Sequence, residues 1–156
     1  MEKTNVMRIL DQKKVAYTPH CIGDNTKLSG IEVANALEMP PERVFKTLVT
    51  VSKSGGKYVF VIPIDRELDL KKAAKAVGEK SIEMLKQKEL LPLTGYVHGG
   101  CSPIGMKKFF TTTVDSIAEQ QTTICFSAGR IGYQVEVSPK DLSKVIRFKY
   151  YSLIKE

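Results

Sequence analysis

Val44-Phe-Lys-Thr-Leu-Val-Thr-Val-Ser52 is followed, across Lys53-Ser54-Gly55-Gly56-Lys57, by Tyr58-Val-Phe-Val-Ile62. Both runs are rich in β-branched and aromatic residues, which suit a pleated, half-buried surface, and the Ser-Gly-Gly-Lys segment between them has turn chemistry. The stretch predicts a β-hairpin. Strands so joined are neighbours in space, which argues against a doubly wound sheet in which a helix separates each strand from the next.

Working outward toward the N-terminus, Ser29-Gly30-Ile31-Glu32 matches a capping box. It predicts a helix carrying Val33, Ala36 and Leu37 on one face and stopping at Met39, ahead of Pro40-Pro41. Thr4 to Lys14 sets Val6, Ile9 and Leu10 at helical spacing behind a Thr4 cap, Val15-Ala16-Tyr17 reads extended, and polar Gly23 to Leu28 predicts a loop.

Toward the C-terminus, Asp69 caps a helix over Leu70 to Val77, and Gly78 supplies its stop. Leu70, Ala73, Ala74 and Val77 face one way, Lys71, Lys72 and Lys75 the other. A short strand at Ser81 to Met84 and a brief helix near Lys86 to Leu91 lead to the loop Gly95-Tyr-Val-His-Gly-Gly-Cys-Ser-Pro-Ile-Gly105. Phe109 to Val114, Thr123 to Ser127 and Tyr133 to Val137 read as strands, the last two joined by a tight turn over Ala128 to Gly132. Ser138 before Pro139 predicts a helix to about Ile146, and Arg147 to Leu153 a final strand. This order predicts one α+β (mixed α/β) domain over residues 1–156.

The chain has 156 residues, a net charge of +7 and a pI near 9.3. That balance suits an anionic partner, nucleic acid before membrane, since no segment approaches the roughly 20 apolar residues of a span and no signal-peptide core opens the chain. Cys21, Cys101 and Cys125 are odd in number, lack C-x-x-C spacing and come with only His20 and His98. No disulfide framework or zinc site is expected, and the pattern suits a reducing cytosol. No Walker A lysine or strand-GxGxxG-helix context points to a nucleotide cofactor.

Two features could carry chemistry. Lys46 interrupts an apolar strand, where it either lines a pocket or snorkels from a strand end. The Gly95–Gly105 loop could bring backbone N–H groups to an oxygen that gains negative charge, with Pro103 stiffening it. Cys101 with His98 has the look of a nucleophile and base, but catalytic pairs of this kind are usually assembled from distant parts of a chain, and no orienting Asn or Asp can be assigned. Ser127-Ala128-Gly129-Arg130 offers a hydroxyl, a flexible turn and a guanidinium that could hold a ribose or phosphate, or is an ordinary hairpin end. His20, after Pro19, stands at a pocket edge or a plain surface.

Phe45-Lys46-Thr47-Leu48, Asp69 to Lys75, Thr94 to Lys108 and Ser127-Ala-Gly-Arg130, in this order, resemble the YbaK/EbsC family of freestanding aminoacyl-tRNA editing proteins, which is related to the insertion domain of bacterial prolyl-tRNA synthetases. The likeness spans nearly the whole chain, and the Met1 to Leu10 start is most similar to the EbsC branch. It implies a largely antiparallel curved sheet or partial barrel with flanking helices. The implied activity is deacylation of mischarged tRNA, most often cysteinyl-tRNA(Pro), without cofactor or metal. Lys46 would be the catalytic or positioning residue, Gly99, Gly100, Cys101, Ser102 and Pro103 the loop at the scissile ester, and Ser127, Ala128, Gly129, Arg130 and His20 the pocket border. In cysteine-specific members the substrate's own thiol attacks its ester. Lys71, Lys72, Lys75, Lys107 and Lys108 would meet the tRNA backbone, and a prolyl-tRNA synthetase is a further expected partner. His20 stands where many relatives carry tyrosine and Cys101 where they carry a less polar residue, which keeps alanyl-tRNA(Pro) open as a substrate. A non-catalytic module that binds tRNA or a synthetase, and a hydrolase using Cys101, are the rival readings.

Overall fold

The computed structural model describes residues 2–23 and 28–156, so most of the loop expected over Gly23 to Leu28 lies outside the described residues. In chain order the elements are α1 (Asn5–Gln12), β1 (Thr18–Cys21), α2 (Gly30–Leu37), β2 (Phe45–Ser52), β3 (Lys57–Pro63), α3 (Leu70–Val77), β4 (Ile82–Met84), α4 (Gln87–Thr94), β5 (Thr111–Asp115), β6 (Ile124–Arg130), β7 (Tyr133–Val137), α5 (Pro139–Leu142) and β8 (Lys149–Tyr151). Short 3₁₀ turns at Pro41–Arg43 and Ser116–Gln120 link them.

The hairpin forms as expected, with β2 and β3 antiparallel from Phe45 opposite Pro63 to Val51 opposite Lys57. It is the centre of a five-stranded sheet in the order β4-β2-β3-β5-β8, and β1, β7 and β6 make a second, three-stranded sheet. The smaller sheet is antiparallel throughout, whereas β5 runs parallel to both β3 and β8. Parallel neighbours require a crossover; α3, β4 and α4 lie between β3 and β5 in the chain. A parallel bridge between Val44 and Cys125 ties the sheets together, but they do not close into a barrel.

Alternation along the strands builds the core. Phe45, Val49, Val59 and Val61 from the larger sheet and Phe126, Val135 and Val137 from the smaller share one buried cluster with Val6, Met7 and Leu10 of α1. On the other side of the larger sheet, Phe60, Ile62 and Leu153 pack with Ala73, Ala74 and Ala76 of α3. α3 holds its expected bounds because its signals are local. Asp69 accepts from the N–H groups of Lys71 and Lys72, and Gly78 takes the left-handed C-cap at φ 74°.

Elsewhere tertiary contacts move the boundaries. In α2 the capping box is present, with Ser29 N–H donating to Glu32 Oε1 at 3.0 Å. The buried pair, however, is Ala34 and Leu37 rather than the face containing Ala36, because the helix is turned to meet Val44 and Cys125. It must begin with glycine, since a Cβ on Gly30 would lie 2.4 Å from the carbonyl oxygen of Ile64. The expected turn over Ala128–Gly132 is shorter. β6 runs on to Arg130 through an irregularity over Ala128 and Gly129, with Arg130 opposite Tyr133, so only Ile131 and Gly132 lie between the two strands. The helix after Ser138 stops at Leu142 rather than Ile146.

Candidate active site

Lys46 sits near the start of β2, opposite Ile62. With Gly99, Cys101 and Ser127 it lines a cavity of about 350 Å³ closed by α2, α4 and the two sheets. Lys46 is half-buried, and burial holds its pKa below the ordinary value, an effect only partly offset by the negative charges of Glu67 and Asp65. Its ammonium makes no hydrogen bond or ion pair within 4 Å with any other described residue. The hydroxyl of Thr47, also on the cavity lining, is buried without a hydrogen-bond partner among the described residues. A half-desolvated cation and an unsatisfied hydroxyl lining one cavity are costly for folding alone and suit walls that receive a polar ligand.

The glycine-rich loop gives this cavity its opposite wall. Tyr96 anchors it, its hydroxyl donating to the carbonyl of Ile104 and its side chain packed so closely that a Cβ on Gly105 would lie 2.8 Å from the hydroxyl oxygen and one on Gly129 2.9 Å from the ring. Burial raises the Tyr96 phenol to about 12, so it remains a donor. Gly99 takes φ 89°, open to glycine. The N–H of Gly100 is spent on Val97 O at 3.0 Å, and Pro103 has none. Those of Gly99, Cys101 and Ser102 have no acceptor among the described residues. Gly99 and Cys101 therefore present uncommitted donors from residues that line the cavity, as stabilisation of an oxyanion requires.

The Cys101 side chain is a poor nucleophile. It is 8% exposed, and burial pushes its thiol up to about 12. His98 is exposed and makes no hydrogen bond to it. With so little thiolate near neutral pH, the loop contributes its backbone rather than its sulfur.

The remaining expected residues separate. Ser127 lines the cavity, and because its Oγ accepts from Gly129 N–H at 3.0 Å its own hydrogen stays free to donate. Ala128 is fully buried in the main core. Arg130 stacks over the Tyr133 ring at 4.7 Å and pairs with Glu2 at 3.3 Å, outside the cavity. His20 does not line it either. Its Nε2 lies 3.0 Å from Glu136 Oε1, and Glu136 also receives Arg43 at 3.0 Å and Thr123 at 2.6 Å. Gly100, Ser102 and Pro103 lie behind the lining, Pro103 at a separate small cavity.

Of the lysines, Lys107 and Lys108 are exposed directly after the loop, Lys107 reaching Pro92 O at 3.3 Å and Lys108 lying 5.6 Å over Phe110. Lys71 and Lys75 are exposed on α3, away from the cavity lining. Lys72 donates to Ile154 O at 2.9 Å and lies 3.6 Å from Glu156, which leaves it less available to a phosphate.

Sequence reasoning missed Gln134, which lines the cavity opposite Ser127 across the β6–β7 pairing. The polar alternation Gln134, Glu136 along β7 was its signal. The cavity adjoins a larger one of about 530 Å³, and the two share Leu28, Val33, His98, Gly99 and Gln134. Among the described residues no cluster of His, Cys, Asp and Glu could hold a metal ion.

The profile of the aminoacyl-tRNA editing domain family matches residues 26–145. EbsC of Enterococcus faecalis, named as a candidate Cys-tRNA(Pro)/Cys-tRNA(Cys) deacylase, is 49% identical over 140 residues, covering 89% of this chain and 85% of that protein. A proline–tRNA ligase of Fervidobacterium nodosum is 28% identical over 109 residues, which are 62% of this chain and 19% of the ligase. Among solved structures, hypothetical protein APE2540 superposes with a TM-score of 0.87 at 22% identity, over 97% of this chain and all (100%) of that one. A candidate trans-editing enzyme for prolyl-tRNA synthetase gives 0.83 at 20% identity, over 99% and 100%. At such identities these two structures speak for the fold alone.

Proposed function

Since this chain belongs to the aminoacyl-tRNA editing domain family, we propose that it is a trans-acting deacylase that hydrolyses the ester of mischarged tRNA, with cysteinyl-tRNA(Pro) as its substrate. The observation that carries this reading is the meeting of Lys46, the free N–H groups of Gly99 and Cys101, and Ser127 around one cavity. The name of the 49% identical relative and the similarity to a proline–tRNA ligase support the choice of amino acid and tRNA.

An aminoacyl ester is already activated, so a protein nucleophile is dispensable. The substrate's sulfur attacks its own carbonyl carbon, a C–S bond forms, and the carbonyl π electrons move to oxygen. Collapse breaks the C–O bond to the ribose, whose oxygen takes the thiol proton. The four-membered thiolactone is then opened by water. Holding thiol and carbonyl together supplies effective molarity, and the Gly99 and Cys101 N–H groups with the Lys46 ammonium stabilise the oxyanion. Lys107 and Lys108, next to the loop, meet the tRNA backbone. The free thiols of Cys21, Cys101 and Cys125 suit a reducing cytosol, where a prolyl-tRNA synthetase would present the tRNA.

A deacylation panel tests the reading. Purified protein should release cysteine from cysteinyl-tRNA(Pro) faster than alanine from alanyl-tRNA(Pro), and Lys46→Ala should be nearly inert on both. Tight, salt-sensitive tRNA binding with no turnover of any charged tRNA would turn the reading toward a non-catalytic module.

A further inference from the structure

The groups that act on the ester all line the smaller cavity, while the adjoining chamber of about 530 Å³ carries neither Lys46, Cys101 nor Ser127. Its own walls are Ile22, Val97, Ile131 and Gly132, with the side chain of Gln87 at its edge. Val97 is 46% exposed, an apolar side chain left facing solvent beside the cavity. Gln87, the first residue of α4, is exposed, and its amide makes no hydrogen bond with another described residue.

We propose that this larger chamber seats the terminal nucleobase of the substrate, an adenine, stacked against Val97 and Ile131 and read along its edge by the amide of Gln87. His98 stands where the two chambers meet. The assignment rests on the deacylase reading and follows from covalent order. The amino acid hangs from a ribose hydroxyl and the base from C1′, so once the carbonyl is held between Lys46 and the loop, the ribose lies at the boundary and the base beyond it. A cavity of about 350 Å³ is at the low end of ligand-site sizes, roughly 300–1,000 Å³, and is filled by the aminoacyl group and sugar. The neighbouring chamber shares His98, Gly99 and Gln134 with it as lining residues. Its chemistry suits a base. Apolar side chains take the flat face, and a glutamine amide offers the donor and acceptor that match adenine N7 and N6.

The alternative occupant is the amino-acid side chain, and one experiment separates the two. Values of kcat/KM are measured for 2′(3′)-O-cysteinyl-adenosine, 2′(3′)-O-alanyl-adenosine and cysteine ethyl ester with wild type, Gln87→Ala and Val97→Asp, circular dichroism verifying the fold. The preference for the adenosine ester over the ethyl ester should fall about tenfold in Val97→Asp and about fivefold in Gln87→Ala, tenfold being 1.4 kcal/mol. Free adenosine should inhibit wild type competitively, and Val97→Asp only at about tenfold higher concentration. An unchanged adenosine preference overturns the assignment, and so does a change confined to cysteinyl against alanyl selectivity, which gives the chamber to the amino acid. Wild-type protein inert on all three esters and on charged tRNA overturns the deacylase reading, and this assignment with it.

Discussion

Replacing Lys46 by methionine removes a charge while keeping an apolar stem of similar reach. Burial lowers the lysine's pKa from 10.5, and Glu67 and Asp65 only partly restore it. Between that lowered value and 10.5 the unfolded chain binds more protons than the folded one, so stability rises with pH across this window. Below it both states are protonated and the full cost of burying the ammonium remains. At pH 7 wild type therefore bears a cost that Lys46→Met lacks. For a half-buried group screened by solvent this is about 0.5–1 kcal/mol, or roughly 1–4 °C in Tm for a chain of this size. The same substitution removes a stabiliser of the oxyanion and should reduce kcat about 10²–10³-fold. Scanning calorimetry and single-turnover release of cysteine from labelled cysteinyl-tRNA(Pro) read the two effects. Wild-type activity should also decline as pH rises through the lowered lysine pKa, a limb absent from the residual activity of the variant. A variant that keeps its rate within about fivefold, or loses activity together with several degrees of Tm, would refute the reasoning by making Lys46 dispensable or structural.

Cys101→Ala should retain deacylation within about threefold, because a thiol buried to a pKa of about 12 supplies almost no thiolate; a loss of 100-fold would revive the cysteine-hydrolase reading. Gly129→Ala places a Cβ 2.9 Å from the Tyr96 ring at φ 94°, and urea unfolding should show a loss of about 1–3 kcal/mol. Lys107→Ala and Lys108→Ala should each raise KM for charged tRNA and lower the slope of log K against log salt by about 1, whereas Lys72→Ala, already engaged with Ile154 and Glu156, should change it little. Hydrogen bonding from Thr123, then from His20, with the nearby charges of His20 and Arg43, holds the Glu136 carboxyl below 4.5. Its contribution is present above that value and lost as pH falls through the lowered one, so Glu136→Gln should flatten the acid decline of Tm.

What could be read in advance was what short segments decide for themselves. Asp69 and Gly78 bound α3 within a few residues of chain, and the alternating runs on either side of Gly55-Gly56 leave little choice but a hairpin. The rotation of α2 is different in kind. Ala34 replaces Ala36 on the buried side because Val44 and Cys125 are there to meet it, and nothing between Ser29 and Met39 records them. The same division runs through the site. A lysine inside an apolar strand is conspicuous locally, and so is a glycine-rich loop with one proline. Gln134 enters the cavity through its register with Ser127, and His20 leaves it through a contact with Glu136, 116 residues away in sequence. Such pairings belong to the folded sheet and have no short-range signature.

Tyr96 holds both ends of this picture. Its hydroxyl ties to Ile104, and Gly105 against that hydroxyl and Gly129 against the ring have no side chain to push it aside. The loop amides that the proposed chemistry uses are thus held by the same contacts that hold the interior together, and their ordering entropy is surrendered once, when the chain folds, rather than at every turnover. Slack introduced at Tyr96 would accordingly surface as slow chemistry on a normally bound substrate, so that residues with no access to the tRNA still set the tempo of proofreading.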